Sequence, residues 1–218
     1  MDARFGSSVS HRPLSRECYG VSEPERHPRL ILASRSPRRR QLLAEAGYRF
    51  QVIPPSRQAE RGGHAAEDAA QLVARLARRK AADVARRVAK GLILGCDTVA
   101  EHDGRILGKP RGQADARRML HALRGQHHRV LTGVCLWRQP DSWHQVRVAV
   151  TRLWMEPLSD RQIEEYLASG AWQGKAGAFG LQDRLGWVRV VEGSESNVVG
   201  LPLELLAEML DQLPRPSG

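Results

Sequence analysis

The sequence has few cysteines, no long apolar run and little aromatic content, and each shortage excludes a class of protein. Among 218 residues there are three cysteines, Cys18, Cys96 and Cys135, at separations that match neither metal-binding nor redox motifs. Such usage is typical of a reducing compartment, so we expect a cytoplasmic protein. No stretch is long and apolar enough to span a membrane, and the N-terminus lacks the apolar core of a signal peptide.

The charge balance is strongly basic. Lys and Arg together number 34 against 24 Asp and Glu, which gives a formal net charge of +10. Such a charge suits a polyanionic partner or small phosphorylated ligands, although an arginine-rich genome would produce the same excess. Because the arginines are dispersed and aromatic residues make up only 5% of the chain, we do not expect a nucleic-acid-binding surface.

The chain divides into a polar tail and one patterned region. Residues 1–28 show almost no apolar periodicity, and we expect them to form a disordered basic tail. Residues 29–214 alternate strand and helix patterns early and contain hairpin patterns in the middle. This order predicts a single α/β domain built on a mixed sheet.

The segment 30–47 is a strand pattern that runs into a tight turn and then a helix. Ser36 is a suitable N-cap, and Pro37 is suited to the first helical position. The helix N-terminus attracts anions, yet Arg38 and Arg39 lie in its first turn and oppose the helix dipole. A bound phosphate would resolve this conflict; a solvated basic turn, or arginines paired with carboxylates, is the alternative.

Two charged residues occupy positions where apolar residues are expected. A helix predicted over 65–90 carries Lys80 on its apolar face, where the side chain either snorkels to the rim or points into a cleft. Asp97 follows the apolar strand pattern 92–96, and a carboxylate there is costly unless it is paired or binds a metal. The glycine-rich segment 174–182 is either a turn-rich connector or a backbone that approaches a ligand closely.

Six short motifs occur in order along the chain: SRSPRR (34–39), GCDTV (95–99), GKP (108–110), LTGV (131–134), KAGAFGLQ (175–182) and NVVGLPL (197–203). Together they resemble the Maf family of nucleoside triphosphate pyrophosphatases. The resemblance implies a bent mixed sheet with flanking helices and a cleft between two lobes, similar to the inosine triphosphate pyrophosphatases. It also implies hydrolysis of a nucleoside triphosphate to the monophosphate and pyrophosphate with Mg²⁺ or Mn²⁺, and a homodimer, which is common in the family.

The resemblance further implies roles for individual residues. Asp97 would be the catalytic carboxylate and would share a metal ion with Glu60. The phosphates would be held by Ser34, Arg38, Arg39, Lys80 and Lys109. The chain departs from the family at two points: Arg35 stands between the two serines in place of a small residue, and Glu60 is the one acidic residue of PPSRQAE.

Three positions resemble the branch of the family that prefers dTTP and UTP over 7-methyl-GTP. They are Arg38 after Pro37, Thr98 after Asp97, and Gln182 at the end of KAGAFGLQ. A glutamine amide can match the N3–H and carbonyl groups of uracil, although it can equally cap a loop. We therefore expect dTTP, UTP and modified uridine triphosphates as substrates, with 7-methyl-GTP or a broad range as the alternative.

The resemblance implies house-cleaning of nucleotide pools and a role in cell division arrest. A protein from a different functional class, a nucleic-acid-binding or protein-binding regulator with weak chemistry, is the competing interpretation.

Overall fold

A computed structural model describes residues 29–60, 67–183 and 185–215 and shows a seven-stranded mixed sheet flanked by helices. The strands are β1 (Leu30–Ala33), β2 (Phe50–Val52), β3 (Gly91–His102), β4 (Arg105–Leu107), β5 (His127–Gln139), β6 (His144–Met155) and β7 (Val188–Glu192). The helices are α1 (Pro37–Glu45), α2 (Ala69–Ala85), α3 (Gln113–Leu123), α4 (Asp160–Ala168), α5 (Glu195–Val199) and α6 (Leu203–Asp211). The predicted α/β fold with a mixed sheet is confirmed. Within these ranges, no helix combines the length and apolar character needed to cross a membrane.

The sheet order is β2-β1-β3-β5-β6-β7, with β4 paired to β3 outside this path. Strand β1 runs parallel to β2 and β3, whereas β3, β5, β6 and β7 form an antiparallel series. On one edge of β3, β1 pairs only as far as Gly95, and β4 begins to pair at Ala100. Residues 96–99 of β3 therefore lie in a gap between two neighbouring strands, and this gap is where a ligand can reach the sheet.

Asp97 lies in the middle of β3, not at the end of a strand as the sequence pattern predicts. Strand β3 continues to His102 because its other edge pairs with β5 throughout, with Asp97 opposite Gly133. Strand β1, the partner on the other edge of β3, pairs only as far as Gly95. The end of the apolar pattern therefore coincides with the end of the pairing with β1 and not with the end of β3.

The β1–α1 unit forms as predicted. Ser36 accepts a hydrogen bond from the Arg39 backbone N–H, and Pro37 is the first helical residue. Gly47 follows the helix with a φ of +78°, a left-handed conformation that suits glycine.

Helix α2 is shorter than the predicted helix over 65–90. It begins after Asp68, whose side chain and that of Gln71 cap each other's backbone N–H groups, and residues 61–66 lie outside the described residues. At its other end the chain leaves the helix at Arg86 and enters β3 through Gly91, which has a φ of +141°.

Two glycines let the backbone of α2 lie directly on the sheet. A Cβ atom on Gly95 would stand 2.3 Å from the Ala77 carbonyl oxygen, and one on Gly133 would stand 2.2 Å from the Val73 carbonyl oxygen. Alternate residues of a strand share a face, so Asp97 faces α2 together with Gly95. The close approach therefore brings Lys80, three residues after Ala77, to Asp97.

The C-terminal part differs in detail from the sequence-based expectations. The apolar residues of 185–191 predict a strand over that range, and β7 begins three residues later, at Val188. The sequence pattern does not predict the short helix α5 before α6. Segment 174–182, for which the sequence leaves two alternatives open, is a loop that contains the 3-10 turn Ala176–Ala178 and most of the turn Leu181–Asp183.

The apolar core is organised in two main clusters on either side of a cleft. One joins β1, α1 and α6, with Leu43 and Leu206 fully buried. The other joins α3, α4 and the loop that carries Phe179. The two clusters correspond to the two predicted lobes, and the gap in β3 opens between them.

Candidate active site

A cleft that is open to solvent lies at the gap in β3. Residues from both lobes line it, including most of those predicted from the sequence: Arg38, Arg39, Lys80, Asp97, Thr98 and Lys109. Ser34 is buried beneath it and bonds to Arg39. The backbone of Gln182 belongs to a 3-10 turn, but its side chain lies outside the described structure.

Lys80 points into the cleft and does not snorkel to the rim. Its Nζ lies 2.5 Å from Asp97 Oδ1 and also donates to the Cys96 carbonyl oxygen at 3.3 Å. The residue is only 7% exposed. The apolar face of α2 thus places the Lys80 ammonium against Asp97, the one carboxylate of the β3 gap. Of the two alternatives for Lys80, snorkelling to the rim or pointing into a cleft, the second is correct.

Arg39 is buried at the floor of the cleft, and each of its three guanidinium nitrogens donates a hydrogen bond to the protein. It donates through Nε to the Gly200 carbonyl oxygen (2.7 Å), through Nη2 to Thr98 Oγ1 (2.8 Å) and through Nη1 to Ser34 Oγ (3.2 Å). Thr98 Oγ1 also lies 2.9 Å from Thr132 Oγ1. Arg39 and Thr98 therefore join α1, β3 and the segment before α6, and Arg39 places its positive charge beneath any bound anion.

Arg38 and Lys109 are two further cations of the cleft lining. Arg38 reaches across the cleft and donates from Nη2 to the Gly174 carbonyl oxygen at 2.8 Å. Burial and the Arg39 charge lower the pKa of Arg38, while burial and the charges of Arg39 and Lys80 lower the pKa of Lys109. These shifts show cations crowded together in partly desolvated surroundings, an arrangement that an anionic ligand would stabilise.

Glu60 lies outside the cleft lining and pairs with Arg35. The two side chains are 3.2 Å apart and partly exposed, at 48% for Arg35 and 35% for Glu60. Both Glu60 and Asp97 act electrostatically on Lys109, opposing the lowering of its pKa. The atypical residue between the two serines thus forms a contact with the candidate metal ligand.

The donor set for a metal is small. No group of three or more His, Cys, Asp and Glu residues that could hold a metal ion is found among the residues that the structure describes. Mg²⁺ commonly binds one or two carboxylates and completes its shell with phosphate oxygens and water. Asp97 and Glu60 are carboxylates, the donor type that such a partial site uses, with the ligand supplying the remaining oxygens.

One cluster at the cleft was not predicted. Lys175 lines the cleft, its ammonium pairs with the Asp183 carboxylate, and the Tyr166 hydroxyl donates to the same carboxylate at 2.7 Å. Lys175 is the first residue of the motif KAGAFGLQ, and Asp183 directly follows the motif. Tyr166 lies on the apolar face of α4, where the sequence pattern does not indicate a polar role.

Fold and site together define an α/β protein with a cationic cleft around one carboxylate. The chain belongs to the Maf-like protein family, whose model matches residues 29–213. A curated relative from Rhodopirellula baltica, named dTTP/UTP pyrophosphatase, is 55% identical over 183 residues, covering 84% of this chain and 81% of the relative. A relative of the same name from Vibrio cholerae is 46% identical over 177 residues, covering 80% of this chain and 92% of the relative. A solved structure of a HAM1 protein from Coxiella burnetii matches with 16% identity and a TM-score of 0.48, covering 85% of this chain and 99% of that one.

Proposed function

We propose that this protein is a nucleoside triphosphate pyrophosphatase that hydrolyses dTTP and UTP to the monophosphate and pyrophosphate. The observation that carries the proposal is the Asp97 carboxylate, held by Lys80 in a cleft that Arg38, Arg39 and Lys109 make strongly positive. The names of the curated relatives support both the reaction and the two nucleotides.

The reaction needs a base and a means of stabilising negative charge. Water attacks the α-phosphorus, a new P–O bond forms, and the bond from that phosphorus to the oxygen bridging to the β-phosphate breaks. Asp97 accepts a proton from the attacking water, and pyrophosphate leaves with the electron pair of the broken bond. Lys80 fixes the carboxylate through Oδ1, so that the carboxylate is oriented before the substrate arrives.

The cations of the cleft stabilise the charge that develops on the phosphate oxygens. Such pre-organised charge is the main source of catalysis in phosphoryl transfer. Lys109 and Arg38 have side chains that line the cleft and act as direct phosphate ligands. Arg39, whose nitrogens bond to the protein, acts through its charge and by holding Thr98 and Ser34 in place.

A divalent cation, Mg²⁺ or Mn²⁺, would be held by Asp97 and Glu60 together with substrate phosphates. When bound, it supplies further neutralisation of phosphate charge. Glu60 is free to bind it once Arg35 releases the carboxylate, and Arg35 can then turn to the phosphates.

The preference for pyrimidines is supported by Arg38, Thr98 and the position of Gln182 in the loop after Lys175. Thr98 contributes by anchoring Arg39 through its hydroxyl, so its effect on the base is indirect. A homodimer, a cytoplasmic location, a domain spanning 29–214 behind a basic tail over 1–28, and roles in house-cleaning and cell division arrest stay predictions.

The decisive experiment measures pyrophosphate release from UTP, dTTP, CTP, ATP, GTP and 7-methyl-GTP, with Mg²⁺ and with Mn²⁺. We expect the highest kcat/KM for UTP and dTTP. If 7-methyl-GTP is the best substrate, the pyrimidine preference is wrong and the enzyme class stands. If no nucleotide releases pyrophosphate under either metal, the enzyme class itself is wrong.

A further inference from the structure

Lys175, Asp183 and Tyr166 form a buried polar cluster at the wall of the cleft. Lys175 is 7% exposed, and its Nζ lies 5.9 Å from the centre of the Tyr166 ring as well as against the Asp183 carboxylate. Burial and the hydrogen bond to Asp183 raise the pKa of Tyr166, so its hydroxyl stays protonated and donates to the carboxylate. The carboxylate is thus held from two sides and fixes the ammonium in one place.

The loop that presents Lys175 is itself fixed. The Gly177 N–H donates to the Gly108 carbonyl oxygen at 3.1 Å, and the Gly174 carbonyl oxygen accepts from Arg38. Gly177 has a φ of +67°, and a Cβ atom there would stand 2.9 Å from both Ala100 and the Phe179 ring. The cluster is therefore part of a rigid wall of the cleft rather than of a loose connector.

The charge of this cluster differs from that of Arg38, Arg39 and Lys109, for which no carboxylate partner is found among the described residues. Asp183 balances the ammonium of Lys175, so the pair adds no net positive charge. An ammonium has three N–H donors, and Asp183 is its one hydrogen-bond partner among the side chains that the structure describes. A charge-balanced donor suits an uncharged acceptor such as a carbonyl oxygen better than it suits a phosphate.

The position of the pair also favours the nucleoside. Arg39 and Lys80 stand on α1 and α2, whereas Lys175 comes from the loop of the other lobe, which also contributes Phe179 to the lining of the cleft. With the phosphates on Arg38, Arg39 and Lys109, the uncharged base is the part of the substrate left to meet Lys175. Arg38, which donates to the Gly174 carbonyl oxygen, stands where these two parts of the cleft meet.

We propose that Lys175 is a specificity-determining residue that donates a hydrogen bond to the O4 carbonyl of uracil or thymine, with Asp183 and Tyr166 as its positioning residues. The inference rests on the proposed function. Cytosine carries an amino group in place of O4 and so offers the ammonium no acceptor at that position, and the contact therefore selects UTP and dTTP over CTP.

The test compares UTP with CTP in the Lys175→Met variant, which removes the ammonium and keeps a side chain of similar length. We expect kcat/KM for UTP to fall about tenfold, as for the loss of a hydrogen bond to a charged group, and that for CTP to change little. The control is Lys90→Met, which removes an exposed lysine and is expected to leave both values unchanged. An equal fall of kcat/KM for UTP and CTP would overturn the proposal. It would mean that Lys175 contacts a part of the substrate that both nucleotides share, or that it only stabilises the fold.

A positioning role for Asp183 and Tyr166 predicts smaller shifts of the same UTP-to-CTP ratio in Asp183→Asn and Tyr166→Phe. If both lower activity on UTP and CTP equally, the positioning claim is wrong. Should Lys175→Met fail to fold because Asp183 loses its counter-ion, the double variant Lys175→Met/Asp183→Asn removes both charges and gives the same comparison.

Binding of UMP and CMP by calorimetry separates this proposal from the proposed function, since it needs no catalysis. We expect wild type to bind UMP more tightly than CMP, and Lys175→Met to lose about tenfold of that difference. This result would support base recognition by Lys175 even if no nucleotide were hydrolysed. Equal affinities for UMP and CMP in wild type would overturn it even in an active enzyme.

Discussion

The ammonium of Lys80 on α2 lies 2.5 Å from the carboxylate of Asp97 on β3, and this buried pair joins the helix to the catalytic gap of the sheet. The side chains are 8% and 16% exposed. Each charge stabilises the other, because an isolated charge in such surroundings lowers the free energy of unfolding. The pair is thus a structural link as well as a part of the proposed chemistry.

Removal of the Lys80 charge alone is expected to lower the free energy of unfolding. Lys80→Met leaves Asp97 without its cation and should cost ~3 kcal/mol, whereas the double variant Lys80→Met/Asp97→Asn should recover part of that loss. Urea unfolding of the wild type, the two single variants and the double variant measures the coupling. Strictly additive effects would show that the two residues are not paired in the folded protein.

Gly95→Ala should weaken both stability and activity. The new Cβ atom would meet the Ala77 carbonyl oxygen at 2.3 Å, so α2 must move outwards and carry Lys80 away from Asp97. We expect a loss of ~2 kcal/mol or more, typical of an overpacked core, together with a lower kcat. Gly112→Ala is the matched control, since that position has open space around it and an extended backbone. Equal behaviour of the two variants would contradict the role assigned to Gly95.

Much of the fold follows from local sequence patterns. Ser36 and Pro37 start α1 as predicted, and the apolar periodicity of α2 correctly places Lys80 on its inner face. What the pattern could not supply is the sheet pairing, which decides that β3 continues past Asp97 while β1 stops. Strand pairing depends on contacts between segments that are distant in the sequence. An apolar run followed by a polar residue has the same pattern whether the strand itself ends at that point or only the neighbouring strand does.

The residues of the candidate site that could be predicted are those whose charge conflicts with the local sequence pattern around them. Lys80 on an apolar face, Asp97 after an apolar run and the arginines at a helix N-terminus each conflict with their surroundings in the sequence. Tyr166 and Gly133 do not, because a tyrosine on an apolar helix face and a glycine in a strand have ordinary structural explanations. Their roles arise only when α4 meets Asp183 and when α2 lies on β5.

The Arg35–Glu60 pair is expected to affect metal binding rather than stability. An exposed pair contributes at most about 1 kcal/mol, so Arg35→Ser should leave the melting temperature almost unchanged. Since the substitution frees Glu60, the Mg²⁺ concentration for half-maximal activity should fall by up to about fivefold. A Mg²⁺ titration of wild type, Arg35→Ser and Glu60→Gln checks this. A lower requirement in Glu60→Gln would contradict the assignment of Glu60 as a metal ligand.

His128 should make stability depend on pH. It is 3% exposed and packs edge-on against Phe179 at 5.1 Å, and burial lowers its pKa to about 4. The unfolded chain, with a histidine pKa of about 6.5, binds the proton more tightly, so the free energy of unfolding rises with pH between these values, by ~3 kcal/mol. Denaturant unfolding of wild type and His128→Gln at pH 4 to 7 should show a steeper rise in wild type. The same slope in both would mean that His128 does not titrate in this range.

The central claim is that Asp97 activates the attacking water, and one variant tests it most directly. Asp97→Asn keeps the shape of the side chain and removes its basicity, so pyrophosphate release from UTP should fall at least ~100-fold. Binding of UTP should persist, because Arg38, Lys80 and Lys109 remain and Lys80 gains an uncompensated charge. Asp103→Asn, which changes an exposed acid of the β3–β4 turn, should retain full activity. Activity of Asp97→Asn within a few-fold of wild type would contradict the account.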